Sequence, residues 1–153
     1  MKKIPFILLC SITFLMNACA IHSSSKSENQ SAGENTPKSI IGCWTVREFD
    51  DIILTDDNVS YPVINFREEG RMDATAGCNT ISGEYTYAAA TLTFSDKLCQ
   101  TLMYCDDEEI NRNEHLLIQA MDSVLFVNSC GADSLLLQGK HTMFLVKATT
   151  TCP

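Results

Sequence analysis

Cysteine is the residue type in this sequence with the widest range of possible chemistry. The 153 residues include eight cysteines, more than a reducing cytosol usually hosts in so short a chain. A cysteine can act as a nucleophile, bind a metal or form half of a disulfide. No C-x-x-C pair occurs, and the closest pair, Cys99 and Cys105, has five residues between its members. This spacing argues against zinc and against a thioredoxin-like redox centre, so disulfides are the favoured interpretation.

Histidines and carboxylates are the other residues that could carry chemistry. The three histidines are His22, His115 and His141. A cysteine nucleophile needs a base beside it, and nothing in the histidine spacing places one next to Cys78 or Cys105. Acidic residues cluster at 50–51, 56–57 and 106–109, without the alternating oxygen ligands and central glycine of a calcium-binding loop. We therefore expect surface histidines, no catalytic residue, no metal site and no cofactor.

The overall composition limits the class of protein and of partner. Hydrophobic residues make up 45% and charged residues 20%, which is typical of one soluble globular domain. The formal net charge is −8, with 11 basic and 19 acidic residues. This balance argues against a nucleic acid partner, because binding to phosphates needs clustered Lys and Arg.

The N-terminal segment has the organisation of an export signal. Two lysines precede an apolar run of thirteen residues at 4–16, which is shorter than the ~20 residues of a spanning helix. The following Ala18 and Cys19 resemble the end of a bacterial lipoprotein signal, in which the cysteine is lipidated and becomes the mature N-terminus. The alternative is an ordinary secretory signal cut near Ala18 or Ala20. Both interpretations place the chain outside the cytosol, and residues 1–18 are predicted to be removed.

Residues 19–39 are predicted to be a lipidated, flexible tether. They are rich in Ser, Asn, Glu and Gly and contain almost no large apolar side chains. Such a segment buries too little apolar surface to offset its ordering entropy. We expect the lipid at Cys19 to anchor the chain to a membrane, and this segment to space the domain from that membrane.

The remainder of the chain reads as short strands. Apolar and polar residues alternate in runs bounded by turn residues, which predicts strands at 40–49, 61–66, 71–75, 85–87, 91–94, 125–128, 134–138 and 142–147. Residues 52–54 form a short apolar patch. The segment 98–104 is compatible with strand or loop. Short, closely spaced strands with one helix predict a mainly β (α+β) fold, either a small antiparallel β-barrel or a strongly curved sheet, with the helix covering one opening.

One helix is predicted over about 107–122. Apolar side chains recur there at helical spacing, at Ile110, Leu117, Ala120, Met121 and Val124. Asp106 or Asp107 could cap its N-terminus, and Asp106 with Glu109 has the spacing of a capping box. The acidic first turn suits the helix dipole.

Several short motifs follow one another along the chain: a Trp-led first strand, a P-x-(apolar)-x-F strand, G-C-N, G-x-Y, T-x-M-x-C and a helical Glu. They include Trp44, Gly77, Cys78, Asn79, Gly83, Thr101, Met103, Cys105 and Glu114. In this order they resemble the META domain, also called the HslJ-like family of heat-inducible bacterial envelope lipoproteins. The resemblance covers about residues 41–147, and we place the domain at 40–153.

This resemblance implies a compact β-barrel-like fold with a helix. It also implies a link with heat or drug stress and with surface integrity, but it transfers no established catalytic residue. The residues themselves make physical sense as structure. Gly77 can adopt a positive φ before Cys78, and Asn79 can bond its own backbone in an Asx-turn. Trp44 is expected in the core or at the closure of the barrel.

Six cysteines follow the signal and the lipidation site, which allows up to three disulfides and 15 connectivities. Cys78 and Cys105 are the two in the family motifs, so the resemblance implies that they pair. A disulfide between them would close a loop of 27 residues and, in the chain-entropy model, would stabilise the fold by about 3–4 kcal/mol. Two further pairs remain hypotheses: Cys43 with Cys152, and Cys99 with Cys130.

Three functions are compatible with these features. The first is a non-enzymatic, lipid-anchored protein of the bacterial envelope, in the outer membrane, that binds another envelope protein or component, with a role under stress. The second is an inhibitor of a lytic enzyme such as lysozyme or a protease. The third is a thiol-dependent enzyme that uses Cys78 or Cys105.

Overall fold

The computed structural model describes residues 35–54, 61–149 and 152. It contains ten strands and one α-helix in these ranges. The strands are β1 (Gly42–Phe49), β2 (Ile52–Ile53), β3 (Val63–Phe66), β4 (Arg71–Thr75), β5 (Thr80–Ala88), β6 (Thr91–Phe94), β7 (Cys99–Gln100), β8 (Leu125–Ser129), β9 (Ser134–Gln138) and β10 (Thr142–Lys147). The helix α1 spans Glu108–Met121, and a single 3-10 turn covers Glu68–Gly70.

The strands form a closed antiparallel barrel with one covering helix, as the sequence predicted. Eight strands close the ring in the order β1-β3-β4-β5-β6-β8-β9-β10, and β10 pairs back with β1. The two short strands lie outside the ring, where β2 extends the edge of β1 and β7 pairs with β5. Closure leaves the eight long strands with partners on both sides, which removes the exposed edges of an open sheet.

The barrel interior is filled by the alternate side chains of the strands. In β1 the buried residues are Trp44, Val46 and Phe49, so the alternation shifts by one between Val46 and Phe49. A register shift relative to β10 lies at this point, between Val46 and Glu48. Because a β-bulge adds one residue to a strand, it turns Phe49 rather than Glu48 into the core.

Strand β5 (Thr80–Ala88) is longer than the strand that was predicted at 85–87. The first half of β5 pairs with β4 and the second half with β6. Gly83 interrupts the apolar alternation that would have marked the first half. A Cβ at Gly83 would collide with the Leu98 side chain, which fills this space.

Helix α1 covers one opening of the barrel. Its buried residues are Asn113, Leu117, Ala120 and Met121, which place one face against the core. Asp107 caps the helix, since its side chain accepts hydrogen bonds from the N–H groups of Glu109 and Ile110. The predicted capping box from Asp106 is therefore wrong by one residue. No helix in the described ranges is long and apolar enough to cross a membrane.

Strand register defines two ends of the barrel. We call the end that α1 covers the helix end; β1 ends there at Phe49 and β5 begins there at Thr80. We call the opposite end, where β1 begins at Gly42 and β10 ends at Lys147, the entry end. Residues 35–37, the last part of the predicted tether that is described, lie at the entry end. The carbonyl of Pro37 accepts a hydrogen bond from the Tyr87 hydroxyl at 2.6 Å.

Candidate functional site

A short loop at the helix end displays three large apolar side chains. It covers residues 101–105 and follows β7 without a turn or a bend. Leu102 is 91% exposed, Met103 59% and Tyr104 89%. Single exposed apolar residues are ordinary, whereas three in sequence on one loop mark a candidate binding surface.

The side chain of Asn79 holds this loop from behind. Asn79 is 4% exposed. Its Oδ1 accepts hydrogen bonds from the Met103 N–H at 2.7 Å and from the Thr101 hydroxyl at 3.0 Å. Its Nδ2 donates to the Met103 carbonyl at 3.1 Å. We call these three contacts the Asn79 clamp; they replace the predicted Asx-turn, because Asn79 bonds a loop more than twenty residues away instead of its own turn.

A carboxylate on α1 orients the amide of the clamp. Both Glu114 oxygens lie 3.0 Å from Asn79 Nδ2, and Oε1 also accepts a hydrogen bond from Gln100 Nε2 at 2.7 Å. An ionised carboxylate only accepts hydrogen bonds, so it selects the orientation in which the Asn79 NH₂ group faces it. In that orientation Asn79 Oδ1 faces the loop and can accept its hydrogen bonds.

Thr101 joins the loop to the barrel wall. Its hydroxyl accepts a hydrogen bond from the Thr80 N–H, and its own N–H donates to the Thr80 carbonyl, both at 3.0 Å. The hydroxyl therefore has partners for both its donor and acceptor functions. Thr101 and Asn79 therefore fix the start and the middle of the loop.

A disulfide closes the C-terminal side of the loop. Cys78 and Cys105 are joined, with their Cα atoms 6.1 Å apart. Cys105 is buried, and its carbonyl accepts a hydrogen bond from Asn111 Nδ2 at 2.9 Å. Gly77 precedes this bridge at φ +126°, and a Cβ there would lie 2.6 Å from Ile110 of α1. Because both sulfurs are in the disulfide, neither is available as a thiolate nucleophile.

A second disulfide lies at the entry end. Cys43 in β1 is bonded to Cys152, with Cα atoms 5.7 Å apart. Beside it, Trp44 is buried and its indole N–H donates to the Ile40 carbonyl at 2.7 Å. Trp44 also lies opposite Lys147 of β10, so it is buried at the strand pair that closes the barrel, as expected.

The predicted bridge between Cys99 and Cys130 is wrong. Cys99 is an exposed free thiol on β7, which pairs with β5. Cys130 is exposed in the turn after β8, whose partners are β6 and β9. Cys99 lies beside the start of β5 at the helix end, whereas Cys130 follows the end of β8 at the entry end. The fold therefore separates two cysteines whose Cα atoms would have to lie within about 7 Å to form a disulfide.

The two described histidines make hydrogen bonds to residues other than the disulfide-bonded cysteines. His115 is exposed on α1, beside Gln119. His141 is half-buried in the turn before β10, and its Nδ1 lies 2.6 Å from Asp50 Oδ2. The hydrogen bond from His141, helped by one from the Thr142 N–H, lowers the pKa of Asp50. His22 and Cys19 lie outside the described residues, and within the described ranges no group of three His, Cys, Asp or Glu could hold a metal.

A cavity is lined by residues of β5, of β6 and of the segments next to them. Its volume is about 710 Å³, and it is lined by three carboxylates together with Tyr85 and its neighbours. The carboxylates are Glu69, Glu84 and Asp96. Burial raises the pKa of Tyr85, so its hydroxyl stays protonated and donates to the Arg67 carbonyl. The 101–105 loop is therefore the stronger candidate site.

The sequence motifs predicted most of the framework of this site and one of its three exposed apolar residues, Met103. Asn79, Thr101, Met103, Cys105 and Glu114 come together around the loop. Leu102, Tyr104 and Gln100 were not singled out. Their signal was present, since three large apolar residues stand in a row between Thr101 and the acidic run at 106–109.

Comparisons with known proteins agree with the fold. Two solved structures are similar: a protein from Burkholderia xenovorans, with TM-score 0.62 and 16% identity over 85% of this chain and 100% of that one, and another protein determined by NMR, with TM-score 0.57 and 22% identity over 69% of this chain and 88% of that one. No curated protein matches the chain. The META domain family matches residues 42–150, which include the barrel, the helix and both disulfide-bonded cysteines at the helix end. The chain belongs to the META domain family.

Proposed function

We propose that this META domain is a non-enzymatic binding domain of the bacterial envelope, and that the 101–105 loop is its binding element. One observation carries the proposal: Leu102 and Tyr104 are almost fully exposed on a backbone that the Asn79 clamp and a disulfide hold in place. Burial of each large apolar side chain by a partner would contribute about 1.5–3 kcal/mol.

The fixed backbone supports binding on entropic grounds. A flexible loop loses conformational freedom when it docks, whereas a loop that is already held loses little. Met103 is bonded through both its N–H and its carbonyl, and Cys105 is covalently fixed. The domain therefore presents apolar anchors in one conformation, which is the arrangement expected of a pre-organised binding site.

The position of the loop supports a partner other than the protein's own membrane. The described chain enters at the end of the barrel opposite the loop. If lipid at Cys19 anchors the chain, the loop can face away from that membrane. We accordingly propose an envelope protein or envelope component as the partner, with a role under heat or drug stress.

An absence of catalysis is part of the proposal. The META family is not known as an enzyme family. The polar residues at the candidate site bond one another and the loop backbone, and two of its cysteines form a disulfide. These features favour a scaffold over an active site.

Photo-crosslinking in intact cells tests the binding element. Benzoylphenylalanine replaces Tyr104, and in a matched control it replaces Phe126, which is 59% exposed on the barrel wall. We expect a discrete crosslinked product from position 104 and none from position 126. Equal products from both positions, or none from position 104, would contradict the proposal.

Labelling with radioactive palmitate tests the anchor. The unaltered chain is expected to take up the label and to sediment with membranes, and Cys19→Ser is expected to lose both properties. A mature N-terminus formed by unmodified Cys19 or by Ile21, detected by mass spectrometry, would instead identify an ordinary secretory signal.

A further inference from the structure

The chemistry of the 101–105 loop narrows the class of partner. We propose that the loop is a peptidase-inhibitory segment, which enters the substrate cleft of an endopeptidase with a large apolar primary pocket. This proposal rests on the binding function above and names the partner of the same site.

The backbone of the loop has one side occupied and one side open. The N–H and carbonyl of Met103 both bond Asn79. In a straight segment the polar groups of successive residues point to opposite sides, so those of Leu102 and Tyr104 face away from the clamp. Within the described chain no hydrogen bond uses the main-chain groups of these two residues. They form a short open edge of the kind that pairs with another extended backbone.

The side chains match apolar specificity pockets. Leu102 and Tyr104 are two residues apart, so they project to the same side of a straight segment. A partner that pairs with the open edge would receive them in two alternate pockets. Leucine, methionine and tyrosine suit the hydrophobic slot of a chymotrypsin-type peptidase, and tyrosine is enriched among the residues that dominate binding energy.

Rigidity separates an inhibitor from a substrate. Hydrolysis requires the backbone to move as the attacked carbonyl carbon becomes tetrahedral. A flexible loop with this sequence could make that movement and would be cut. Here the segment is held at Thr101 by the wall, at Met103 by the clamp and at Cys105 by the disulfide. These three attachments resist that movement and keep the loop docked.

Charge next to the loop adds a second recognition feature. The acidic run at 106–109 follows Cys105 directly and is largely exposed. A cleft with a basic rim would complement it. The apolar anchors fit a peptidase pocket better than a glycan cleft built around paired carboxylates, which such an acidic rim would repel. We therefore choose the peptidase over lysozyme among lytic enzymes.

Titration of chymotrypsin and trypsin with the mature chain, disulfides intact, tests the inference. Chymotrypsin has an apolar primary pocket and trypsin an acidic one. We expect chymotrypsin activity to fall to near zero at about one equivalent and trypsin to be unaffected. Tyr104→Gly is expected to weaken inhibition by about 30-fold or more, whereas the matched Phe126→Gly leaves it unchanged.

A specificity exchange sharpens the test. Tyr104→Lys is expected to transfer inhibition from chymotrypsin to trypsin, because a lysine side chain complements the acidic pocket. The inference is overturned if chymotrypsin cuts the loop as an ordinary substrate, or if lysozyme is inhibited and neither peptidase is. If position 104 still crosslinks to one envelope partner while no peptidase is inhibited, the binding function stands and the inhibitory inference fails.

Discussion

The two ends of the barrel each have a disulfide, yet the two bridges have different surroundings. At the entry end, Cys43–Cys152 joins the first strand to the tail across 109 residues, next to the buried Trp44. At the helix end, Cys78–Cys105 spans 27 residues and borders a polar network beneath an exposed apolar loop. The entry-end bridge ties Cys152 to β1, whereas the helix-end bridge also borders the exposed loop at 101–105.

This difference shows how one covalent bond can serve stability alone or stability and presentation together. Each disulfide stabilises the fold by reducing the entropy of the unfolded chain. In the chain-entropy model this amounts to about 4.8 kcal/mol for the longer bridge and about 3.6 kcal/mol for the shorter one. The longer bridge therefore stabilises more, while only the shorter one adjoins groups that hold the 101–105 loop.

Removal of each disulfide is expected to have the largest effect. Replacing Cys43 and Cys152 with alanine should lower the free energy of unfolding by about 5 kcal/mol, and replacing Cys78 and Cys105 by about 3.5 kcal/mol, as upper estimates measured by urea denaturation. Hydrogen exchange should show that the Met103 amide stays protected in the first variant and loses protection in the second. Cys99→Ser, which alters a free thiol, is the control. Equal loss of Met103 protection in both variants would remove the distinction between the ends.

Loss of the clamp is expected to have the next largest effect. Asn79→Ala removes the partners of the Met103 N–H and carbonyl and leaves Glu114 without the amide it orients. We expect a loss of about 2–3 kcal/mol and faster exchange at Met103.

Asn128→Ala is the matched control for this variant, because Asn128 makes one exposed side-chain hydrogen bond, to Gln138 on the barrel wall. It should change stability by less than about 0.5 kcal/mol. If Asn79→Ala leaves Met103 exchange unchanged, the loop is held by something other than the clamp.

A substitution in a turn at the entry end is expected to raise the free energy of unfolding instead of lowering it. Ala89 and Ala90 form the two-residue turn between β5 and β6 with φ of 49° and 64°. Alanine is strained in this region, whereas glycine is not. Ala90→Gly is expected to stabilise the fold by about 1 kcal/mol, measured as a rise in the denaturation midpoint.

The neighbouring Ala88→Gly is the matched control, since Ala88 lies within β5 and its φ is not positive. Glycine there should destabilise by about 0.5–1 kcal/mol. Neither variant should alter crosslinking from position 104, because both lie at the entry end. A change in crosslinking would mean that the two ends are coupled.

The smallest expected effect concerns a polar contact at the helix end outside the clamp. The hydrogen bonds from His141 and the Thr142 N–H lower the pKa of Asp50. A carboxyl group whose pKa is lower in the folded state stabilises the fold above its unfolded pKa of about 3.9, and this contribution is lost as pH falls through the folded value.

Asp50→Asn should therefore reduce the acid dependence of stability below about pH 4, by less than about 1 kcal/mol because the pair is partly exposed. Denaturation midpoints measured from neutral pH downward test this. Asp51→Asn, in the same turn, is the charge-matched control against which the profile of Asp50→Asn is compared. Identical profiles for Asp50→Asn and the unaltered chain would mean that the contact adds nothing.

Local patterns in the sequence were enough to predict most strands, the helix and the mainly β class. These features depend on side-chain alternation and helical spacing, which neighbouring residues determine. The exceptions have local causes too. Gly83 obscured the first half of β5, and the adjacent Asp106 and Asp107 made the helix cap uncertain by one residue.

Only the tertiary structure decided that the sheet closes, which cysteines meet, and what Asn79 does. Closure depends on β1 pairing with β10 at the far end of the chain, and Cys99 stays free because its strand lies beside β5. Asn79 bonds partners 24 and 35 residues away. Such contacts depend on how strands and helix pack together, and no short segment of the chain contains both partners. The exposure of Leu102 and Tyr104 follows from that packing, because an apolar residue is displayed only where the fold offers it no core.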